Sequence, residues 1–404
     1  MFILQVGELG RLQFASYHRR MHIQSLKGDP AAGASAAGSS GTTVLHCIPT
    51  LSGGGAEHQL KLLIPRLIAR GIRVAVFSRL TGTGQQKLES QGAISVPIRS
   101  RGNCNPALAV ELVAAIRRLR PDIVQSWLPQ MDVLCGFLAR SYGAKWILSE
   151  RCSPLAYPRT AKNWLRRVVG ERADLVVANS RHGLAVWNHK AKRVVANAVD
   201  LGRIDETPDG YYAGSASLRG RKIVISVARL TEQKQSQVLI EAIRIARERV
   251  PELLLLLLGE GPDREQLTAQ VAEHGLEDHV HFLGFRTDVP HWMKSADLFV
   301  SASLYEGHPN SVLEAAAARL PLLLSDIPEH RDAVGDTACY ATPGDAAGFA
   351  RAMVEIVESR ELKETLAHAA RGKVDGLTIE AIADEYASIY RDLSAGRTDQ
   401  ASRS

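Results

Sequence analysis

Residues 222–261 read KIVISVARLTEQKQSQVLIEAIRIARERVPELLLLLLGEG, and this stretch decides the fold. It holds an apolar strand, an amphipathic helix through Ala242 and a second apolar strand at Leu253–Leu258, with Pro and Gly as punctuation. A strand–helix–strand unit of this length predicts two parallel strands joined by a right-handed crossover. The same alternation continues through three further apolar runs, VHFLGF (280–285), DLFVSAS (297–303) and PLLLSD (321–326).

The first half of the chain shows the same rhythm. TVLHCIP (43–49) precedes a Gly-rich turn and an amphipathic helix from Glu57 to Arg70. Four more apolar runs follow: RVAVFS (73–78), PDIVQSW (121–127), KWILSE (145–150) and DLVVANS (174–180). We therefore expect an α/β protein with two doubly wound parallel-sheet domains in tandem. In such sheets ligands bind beyond the carboxyl ends of the strands.

The remaining boundaries follow from composition. The Gly-, Ala- and Ser-rich stretch before residue 42 has little that could form a core, which predicts a disordered tail over residues 1–41. A polar segment without periodicity predicts a linker over residues 206–220. The other expected segments are a first domain over 42–205, a second domain over 221–376, a closing helix over 377–394 and a disordered tail over 395–404.

Composition and charge narrow the class of protein. The 404 residues are 45% hydrophobic, with a net charge of +6 that favours anionic partners. The five cysteines are odd in number and form no C-x-x-C pair, which favours reduced thiols. No apolar run approaches the ~20 residues of a membrane span, and the first residues lack the order of a secretory signal. We expect a cytoplasmic protein.

Two motifs carry charged groups at strand ends. YEGHPNSVLEAAA (305–317) places Glu306 and Glu314 around a Gly-x-Pro turn that opens a helix. SVARLTEQKQ (226–235) places Arg229 and Lys234 directly after an apolar strand. Two cations, a helix N-terminus and two carboxylates are the groups needed to hold a diphosphate that carries a sugar at each end.

Residues 43–394 resemble the retaining family 4 glycosyltransferases of the GT-B fold. The matching segments are SGGGAEHQL (52–60), ERADLVVANS (171–180), VVANAVD (194–200), SVARLTEQKQ (226–235), LLLGEGPDREQL (256–267), VHFLGF (280–285), ADLFVSASLYEGHPNSVLEA (296–315) and ADEYASIYRDL (383–393). The resemblance implies two Rossmann-like domains that face a central cleft. It also implies a nucleotide-sugar donor held mainly by the second domain and an acceptor held mainly by the first.

A leaving nucleoside diphosphate develops negative charge that the protein must neutralise. No two aspartates are separated by one residue, and no His, Cys and Asp cluster has ligand spacing, so we expect neither a metal nor a cofactor. Arg229 can fork onto two phosphate oxygens and Lys234 adds a point charge. The amides around His308, Asn310 and Ser311 open a helix whose dipole favours anions.

The resemblance assigns further roles on the donor side. It implies that Glu306 holds the transferred sugar near its reacting carbon and that Glu314 accepts hydrogen bonds from the ribose hydroxyls. Backbone at Gly284 and Phe285 would flank the base, and Gly307 would form the turn at the donor. Together with Arg229 and Lys234, Glu306 forms the expected catalytic set.

The first domain supplies weaker candidates. Gly54 and Gly55 would face the donor phosphates across the cleft, with Glu57 beside them, although a flexible strand-to-helix turn is the alternative. Trp127 stands where many relatives carry a His, and it either stacks on a sugar or packs against the sheet. Glu150 ends a strand, and it either touches the acceptor or belongs to an ion pair.

Two basic clusters lie on first-domain helices, Arg117, Arg118 and Arg120 on one and Lys162, Arg166 and Arg167 on the other. They suit peripheral contact with the anionic inner face of the cell membrane, and an ordinary solvated helix face explains them equally well. Nucleic acid is not an expected partner, because the sequence contains no recognised nucleic-acid-binding module.

The predicted function is transfer of a sugar from a UDP- or GDP-sugar to a hydroxyl acceptor, with retained anomeric configuration. The expected acceptor is a polysaccharide, lipopolysaccharide or lipid-linked glycan precursor. One alternative is a nucleotide-sugar epimerase of the same fold, which uses no second substrate. The other is a non-catalytic nucleotide-sugar-binding module. No oligomeric state is predicted.

Overall fold

A computed structural model describes residues 41–79, 82–102, 105–212 and 218–401. Apart from Gly41, the tail expected over residues 1–41 lies outside this range, as does part of the expected linker. Within it, no helix has both the length and the apolar character needed to cross a bilayer.

The first sheet has seven parallel strands among the described residues, in the order β3-β2-β1-β4-β5-β6-β7. They are β1 (Thr43–Thr50), β2 (Arg73–Arg79), β3 (Ile94–Pro97), β4 (Ile123–Trp127), β5 (Lys145–Glu150), β6 (Leu175–Ala178) and β7 (Lys192–Val194). The order reverses between β1 and β4, so the carboxyl ends of these two strands border a crevice.

The second sheet has six parallel strands in the described range, in the order β10-β9-β8-β11-β12-β13. They are β8 (Lys222–Val227), β9 (Leu253–Leu258), β10 (Val280–Gly284), β11 (Leu298–Ser301), β12 (Leu322–Ser325) and β13 (Cys339–Ala341). Here the order reverses between β8 and β11, whose ends carry the two charged motifs. The prediction of two doubly wound α/β domains is confirmed.

Helices connect the strands on both faces. In the first half they are α1 (Gly55–Ala69), α2 (Gly82–Ser90), α3 (Ala107–Leu119), α4 (Pro129–Leu138), α5 (Ala161–Gly170), α6 (Arg181–Ala185) and α7 (Leu201–Asp205). In the second half they are α8 (Ser236–Ala246), α9 (Arg264–Glu273), α10 (Val289–Met293), α11 (Asn310–Ala317), α12 (Pro328–Val334), α13 (Ala346–Glu358), α14 (Arg360–Val374) and α15 (Ile379–Ala401). Single 3₁₀ turns occupy Arg140–Tyr142, Pro154–Ala156 and Glu232–Lys234.

Burial on both faces explains why the strands read as continuous apolar runs. In β9, Leu253 and Leu255 belong to the core on one side of the sheet, and Leu254 and Leu256 belong to the core on the other. In β1 the neighbours Val44 and Leu45 likewise face opposite cores. A parallel sheet covered by helices on both sides requires apolar residues at successive positions rather than alternate ones.

Helix α15 returns the chain from the second domain to the first. Its residues Ile382, Tyr386 and Tyr390 are buried in the core of the first domain, and the Tyr390 hydroxyl donates to Gln125 Oε1 at 2.5 Å. The helix ends at Ala401, beyond the predicted end at 394 and inside the tail expected to be disordered. The added residues 395–401 contain no proline, so the existing helix propagates through them at little cost.

Candidate active site

Lys234 and Glu306 meet at the carboxyl ends of two neighbouring strands of the second sheet. Lys234 closes the 3₁₀ turn after β8, and Glu306 lies in the loop after β11. Their ammonium and carboxylate form an ion pair, and Ser303 Oγ donates to the same carboxylate oxygen at 2.7 Å. The sequence motifs thus predict groups that the fold brings into direct contact across 72 residues of chain.

The two loops that carry this pair are also tied through their backbones. Gln233 Nε2 donates to the Tyr305 carbonyl at 2.7 Å, and the Leu304 amide donates to the Gln233 carbonyl at 2.9 Å. Because both side chains sit on mutually braced loops, the ion pair is held in place before any ligand arrives.

Burial and charge act on Glu306 in opposite directions. Burial raises the pKa of this carboxyl, but the Lys234 charge, His330 and the hydrogen bonds from Lys234 and Ser303 lower it further. The net effect holds the pKa of Glu306 below its usual value, so the group is a carboxylate near neutral pH.

Arg229 lies just beyond β8 and is exposed. Within the described part of the chain its side chain has no ion pair or hydrogen-bond partner. A guanidinium in this position is free to form paired hydrogen bonds with an incoming phosphate.

Helix α11 opens beside the same loop. Pro309 is its N-cap, and the first amides, those of Asn310 and Ser311, find no acceptor among the described residues. Pro309 instead offers its carbonyl to the amides of Val312 and Leu313, at 3.1 and 3.2 Å. The open amides and the helix dipole together form a site that favours an anion.

Glu314 lies one turn into α11 and faces the first domain. One of its carboxylate oxygens is 3.6 Å from His58 Nε2 on α1, and the Glu314 side chain remains 29% exposed. Burial raises the pKa of Glu314 to about 7, although the Arg203 charge opposes the shift. Desolvation also lowers the pKa of His58, as do the charges of Arg203 and Lys61, so His58 is a neutral neighbour at pH 7.

The glycine loop of the first domain reaches the start of α11. Asn310 Nδ2 donates to the Gly55 carbonyl at 3.3 Å, and a Cβ on Gly55 would lie 3.1 Å from the same nitrogen. A Cβ on Gly54 would lie 2.2 Å from Glu57 Oε2, so the carboxylate of Glu57 closes over the loop. Glu57 itself is buried and accepts from Thr50 Oγ1 at 3.3 Å.

Side-chain amides join the two domains beside the glycine loop and the start of α11. The oxygen Oδ1 of Asn310 accepts from Gln59 Nε2 at 3.1 Å and from Asn197 Nδ2 at 2.7 Å. We call Gln59, Asn197 and Asn310 the amide cluster. Gln59 was not among the candidate residues, whereas Asn197 follows a strand, where either a helix cap or a ligand contact is expected. Their position inside the matching segments SGGGAEHQL and VVANAVD was the signal that could have identified them.

His308 and Gly307 pack directly against the first domain. The backbone N–H of Asn197 donates to His308 Nδ1 at 3.2 Å, so the proton of the neutral ring lies on Nε2. Burial lowers the pKa of His308 to about 4, with help from the Arg151 charge, and so His308 is neutral. The backbone of Gly307 lies against the backbone of Arg151, because a Cβ on Gly307 would lie 2.1 Å from the Arg151 carbonyl oxygen.

Gly284 and Phe285 form a separate edge of the second domain. Gly284 has φ +69°, and a Cβ there would lie 2.7 Å from Glu260 Oε1. The next residue, Phe285, is 73% exposed and offers a free aromatic face to a planar base.

Trp127 does not offer a sugar-stacking face. The side chain is completely buried, its indole N–H donates to His46 Nδ1 at 3.1 Å, and the Arg151 guanidinium lies 4.2 Å from its ring centroid. Burial lowers the pKa of His46 to about 3, which keeps the ring neutral and able to accept that bond. The packing alternative is therefore correct, because β4 is an inner strand covered on both faces.

The Glu150 side chain is also buried. Its two oxygens accept from the Tyr157 hydroxyl at 2.6 Å and the Trp187 indole at 3.0 Å, and Arg166 forms an ion pair with it at 3.0 Å. Glu150 therefore forms the ion pair that one of the two alternatives predicts, and its contact with the acceptor stays a prediction. Arg166 is also buried, so it does not belong to the exposed basic cluster in which the sequence placed it.

The described residues contain no group of three or more His, Cys, Asp or Glu side chains arranged to hold a metal ion. Cations and oriented amides are the anion-binding groups that the described part of this site presents.

Comparison with known proteins matches both halves of the chain. Residues 53–203 match the model of Glycosyltransferase Family 4, and residues 214–373 match that of Glycosyl transferases group 1. The chain is a family 4 glycosyltransferase. The two matched segments contain most of the first and second sheets respectively, so the enzyme has the GT-B architecture that its motifs predict.

Individual relatives agree with this assignment. The chain is 28% identical over 345 residues to the lipopolysaccharide core biosynthesis glycosyltransferase LpsE of Rhizobium meliloti, covering 82% of this chain and 94% of LpsE. It is 29% identical over 235 residues to an N-acetylgalactosaminyltransferase of Campylobacter jejuni that acts on a diphospho-undecaprenol-linked sugar, covering 55% of this chain and 62% of that enzyme.

Solved structures share the fold. HepE from Anabaena, crystallised with UDP and glucose, superimposes with a TM-score of 0.77 over 87% of this chain and all of HepE. The sequence identity is 19%, so this similarity concerns the architecture of the family 4 glycosyltransferase rather than its specificity.

Proposed function

We propose that this glycosyltransferase moves a hexose-type sugar from a UDP- or GDP-sugar to a hydroxyl acceptor, with retention of the anomeric configuration. The observation that carries the proposal is the Lys234–Glu306 ion pair, set beside the exposed Arg229 and the open amides of α11. In this proposal the diphosphate leaves beside these cations, and the transferred sugar lies beside the Glu306 carboxylate.

The chemistry follows from these positions. As the bond between the sugar carbon and the diphosphate oxygen breaks, the negative charge on the phosphates is met by Arg229, Lys234 and the first amides of α11. The acceptor oxygen forms the new bond from the same face of the sugar. Its proton passes to an oxygen of the departing phosphate. The products are a glycoside and a nucleoside diphosphate, and no protein group changes its covalent state.

Glu306 and Glu314 have distinct tasks in this scheme. The carboxylate of Glu306, held by Lys234 and Ser303, accepts hydrogen bonds from hydroxyls of the transferred sugar. Glu314, one turn into α11, accepts from the ribose hydroxyls. From the Glu306 loop to Glu314 the parts of the donor therefore follow in the order sugar, diphosphate and nucleoside.

The acceptor belongs to a glycan-building pathway in this proposal. LpsE is named for lipopolysaccharide core biosynthesis, and the Campylobacter enzyme for a diphospho-undecaprenol acceptor. We propose a lipopolysaccharide, polysaccharide or lipid-linked precursor for this chain, met at the inner face of the membrane. The exposed cations Lys162 and Arg167 on α5 and Arg117 and Arg118 on α3 would support peripheral contact with anionic lipid.

A donor screen tests the proposal. Calorimetry with UDP and GDP should show binding of one of them. A panel of nucleotide sugars should then identify one donor that is slowly hydrolysed in the absence of acceptor, and NMR of the released sugar should show the donor's anomeric configuration. Failure of both nucleotides to bind at millimolar concentration would refute a nucleotide-sugar enzyme. Isomerisation of the donor without release of nucleotide would instead establish the epimerase.

Metal dependence provides a second test. Activity should survive EDTA, because Arg229, Lys234 and the α11 amides supply the positive charge. Loss of activity with chelator, restored by Mg²⁺ or Mn²⁺, would contradict this account of the leaving group.

A further inference from the structure

A cavity of about 540 Å³ lies in the first domain, outside the donor site. Its wall is formed by the loop around Tyr157, by α5 and by Trp187. This volume is within the range of sites that bind small molecules. No group assigned to the donor contributes to its lining.

The floor of the cavity is a rigid polar network. The Tyr157 hydroxyl donates to Glu150 at 2.6 Å, and the Arg166 guanidinium lies 4.6 Å from the Tyr157 ring centroid and 5.2 Å from that of Trp187. Behind it, Arg166 donates to Asp132 at 2.7 Å. Because Tyr157, Glu150, Arg166 and Asp132 are held by one another, the floor keeps its shape whether or not a ligand is present.

The rim of the cavity is positively charged. Arg159 and Arg167 line it and are exposed, and neither has a carboxylate partner among the described residues. Glu150 is the one acidic residue in the lining, and Arg166 already neutralises it. The groups left for a ligand are therefore two guanidiniums, which recognise phosphate and carboxylate by paired hydrogen bonds.

An aromatic side chain stands beside these cations. Trp164 lines the same cavity from α5 and is 66% exposed. A free indole face next to guanidiniums suits a ligand that is a flat-sided ring bearing a negative charge, which is the shape and charge of an anionic sugar.

The cavity adjoins the donor site through the end of β5. Glu150 lines the cavity, and the following residue, Arg151, places its carbonyl against Gly307 of the donor loop. Two successive residues of the first domain thus connect the cavity to the loop that carries Glu306.

We propose that this cavity binds the acceptor through a saccharide unit that carries a phosphate or a carboxylate. The inference rests on the proposed glycosyl transfer and specifies the chemical class of its acceptor. A free sugar phosphate, a uronic acid in a polysaccharide and a lipid-linked sugar phosphate share this chemistry.

Binding of three small probes to the full chain tests the proposal. Glucose 6-phosphate, glucuronate and uncharged glucose are titrated by ligand-observed NMR, with UDP binding measured in parallel by calorimetry. Both anions should bind more tightly than glucose. Preference for the phosphate would indicate a phosphorylated sugar, and preference for the carboxylate would indicate a uronate.

Two sets of variants separate charge from stacking. The double variant Arg159→Ala with Arg167→Ala should weaken both anions by about tenfold or more, to the level of glucose, because charge-assisted hydrogen bonds are lost. The variant Trp164→Ala should weaken all three probes alike. The control pair, Arg73→Ala with Arg99→Ala, removes the same charge from exposed first-domain positions outside the cavity and should leave all three affinities unchanged.

Three outcomes decide the question. Glucose binding as tightly as the anions would overturn the proposal, as would unchanged anion binding in the cavity variant or an equal loss in the control pair. UDP affinity should remain at the wild-type value in every variant. If wild-type protein bound neither UDP nor GDP, the proposed transfer would fail, whereas the probe titrations would still report on the cavity itself.

Discussion

At the scale of single residues, Lys234 stands between two negative charges. Its ammonium group is paired with the buried Glu306 carboxylate, and in the proposed reaction the diphosphate of the donor lies beside the same ammonium group. Arg229 has no such partner in the described part of the chain and is fully available. The two cations are therefore not equivalent: Lys234 already holds a carboxylate, and only in the proposed reaction do both cations meet the phosphate.

Replacement of Lys234 by Ala should lower kcat by about 10²–10³, the scale expected when one charge-stabilising group is removed. Burial would then raise the pKa of Glu306 without the opposing ammonium. Steady-state kinetics with the accepted donor measure the effect, and Lys234→Arg, which keeps the charge, serves as the control. Wild-type turnover in the alanine variant would show that Lys234 does not meet the leaving group.

Donor affinity should depend on the ionisation of Glu314. Ribose hydroxyls donate hydrogen bonds to a carboxylate, and the pKa of Glu314 is raised to about 7. Below that pH the group must lose its proton before it can accept, so affinity should rise with pH, by up to about tenfold per unit, and level off above pH 7. Calorimetry with a UDP-sugar between pH 5.5 and 8.5 measures this, because its diphosphate does not titrate there.

The variant Glu314→Gln provides the comparison for that experiment. It cannot ionise, so its donor affinity should be lower and flat across the same range. A slope that persists in the variant would assign the titration to another group, of which His58 is the nearest.

The sequence predicted the meeting of Lys234 and Glu306 better than it predicted the surroundings of Trp127 and Glu150, for a physical reason. Glu306, Lys234 and Glu314 belong to motifs with fixed spacing around a turn, and strand ends of a parallel sheet converge. Trp127 and Glu150 also end strands, but whether an end residue points into a cleft or under a covering helix depends on tertiary packing. His46, the partner of Trp127, lies 81 residues away in sequence, and Arg166, the partner of Glu150, lies on the next α-helix.

At the scale of elements, the loop before α11 performs two tasks. In the proposed function it presents the open amides of the helix to the donor, and it brings the backbone of Gly307 against the Arg151 carbonyl. Only a residue without a side chain allows this approach. The Gly-x-Pro turn therefore sets the distance between the domains as well as the direction of the helix.

Replacement of Gly307 by Ala should destabilise the protein by about 1–3 kcal/mol, because the new methyl group would lie 2.1 Å from a backbone oxygen that cannot move aside cheaply. Thermal or urea unfolding measures the loss. Gly372→Ala is the control: it lies inside α14 with nothing within 4 Å, so it should stabilise the protein by about 0.5–1 kcal/mol. Equal effects in both variants would argue against the close approach.

The local sequence predicted the strands better than it predicted the ends of the helices. The strands were recognisable because runs such as Leu253–Leu258 are apolar throughout, as burial on both faces demands. Helix ends were less certain: α1 begins at Gly55 rather than Glu57, and α15 runs to Ala401 rather than 394. Glycines and short polar residues are compatible with both helix and loop, so their state depends on the neighbouring helix rather than on their own identity.

At the scale of the whole molecule, α15 binds the two halves of the chain together. It follows α14 of the second domain, yet buries its apolar face in the core of the first. Arg151 Nη2 donates to the Tyr386 hydroxyl at 2.9 Å, and Arg70 forms an ion pair with Asp384 at 2.6 Å. The C-terminal segment is thus part of the first domain's core, although it lies beyond the second in sequence.

Replacement of the fully buried Tyr386 by Ala should lower the free energy of unfolding by about 3–5 kcal/mol, the cost of deleting a large aromatic side chain from a core. Urea unfolding followed by tryptophan fluorescence measures the change, since Trp127 and Trp146 report on that core. Tyr142, 39% exposed, offers the matched control, and Tyr142→Ala should cost much less. A similar loss in the two variants would contradict a structural role for α15 in the first domain.

The repeated strand and helix pattern predicted two domains, but it could not predict how they meet. The contact between Gln59 and Asn310 joins residues 251 positions apart, and no periodicity connects them. Such contacts depend on the shapes of two finished domains. Only the family resemblance indicated that the glycine loop and the start of α11 would face each other.

The amide cluster affects how the contact between the two domains responds to ionic strength. Gln59, Asn197 and Asn310 join the lobes through uncharged groups, and mobile ions do not screen uncharged hydrogen bonds as they screen exposed charges. In the proposed function, capture of the donor relies on full charges instead. Added salt should therefore slow binding of the nucleotide more than it weakens the amide contacts between the domains.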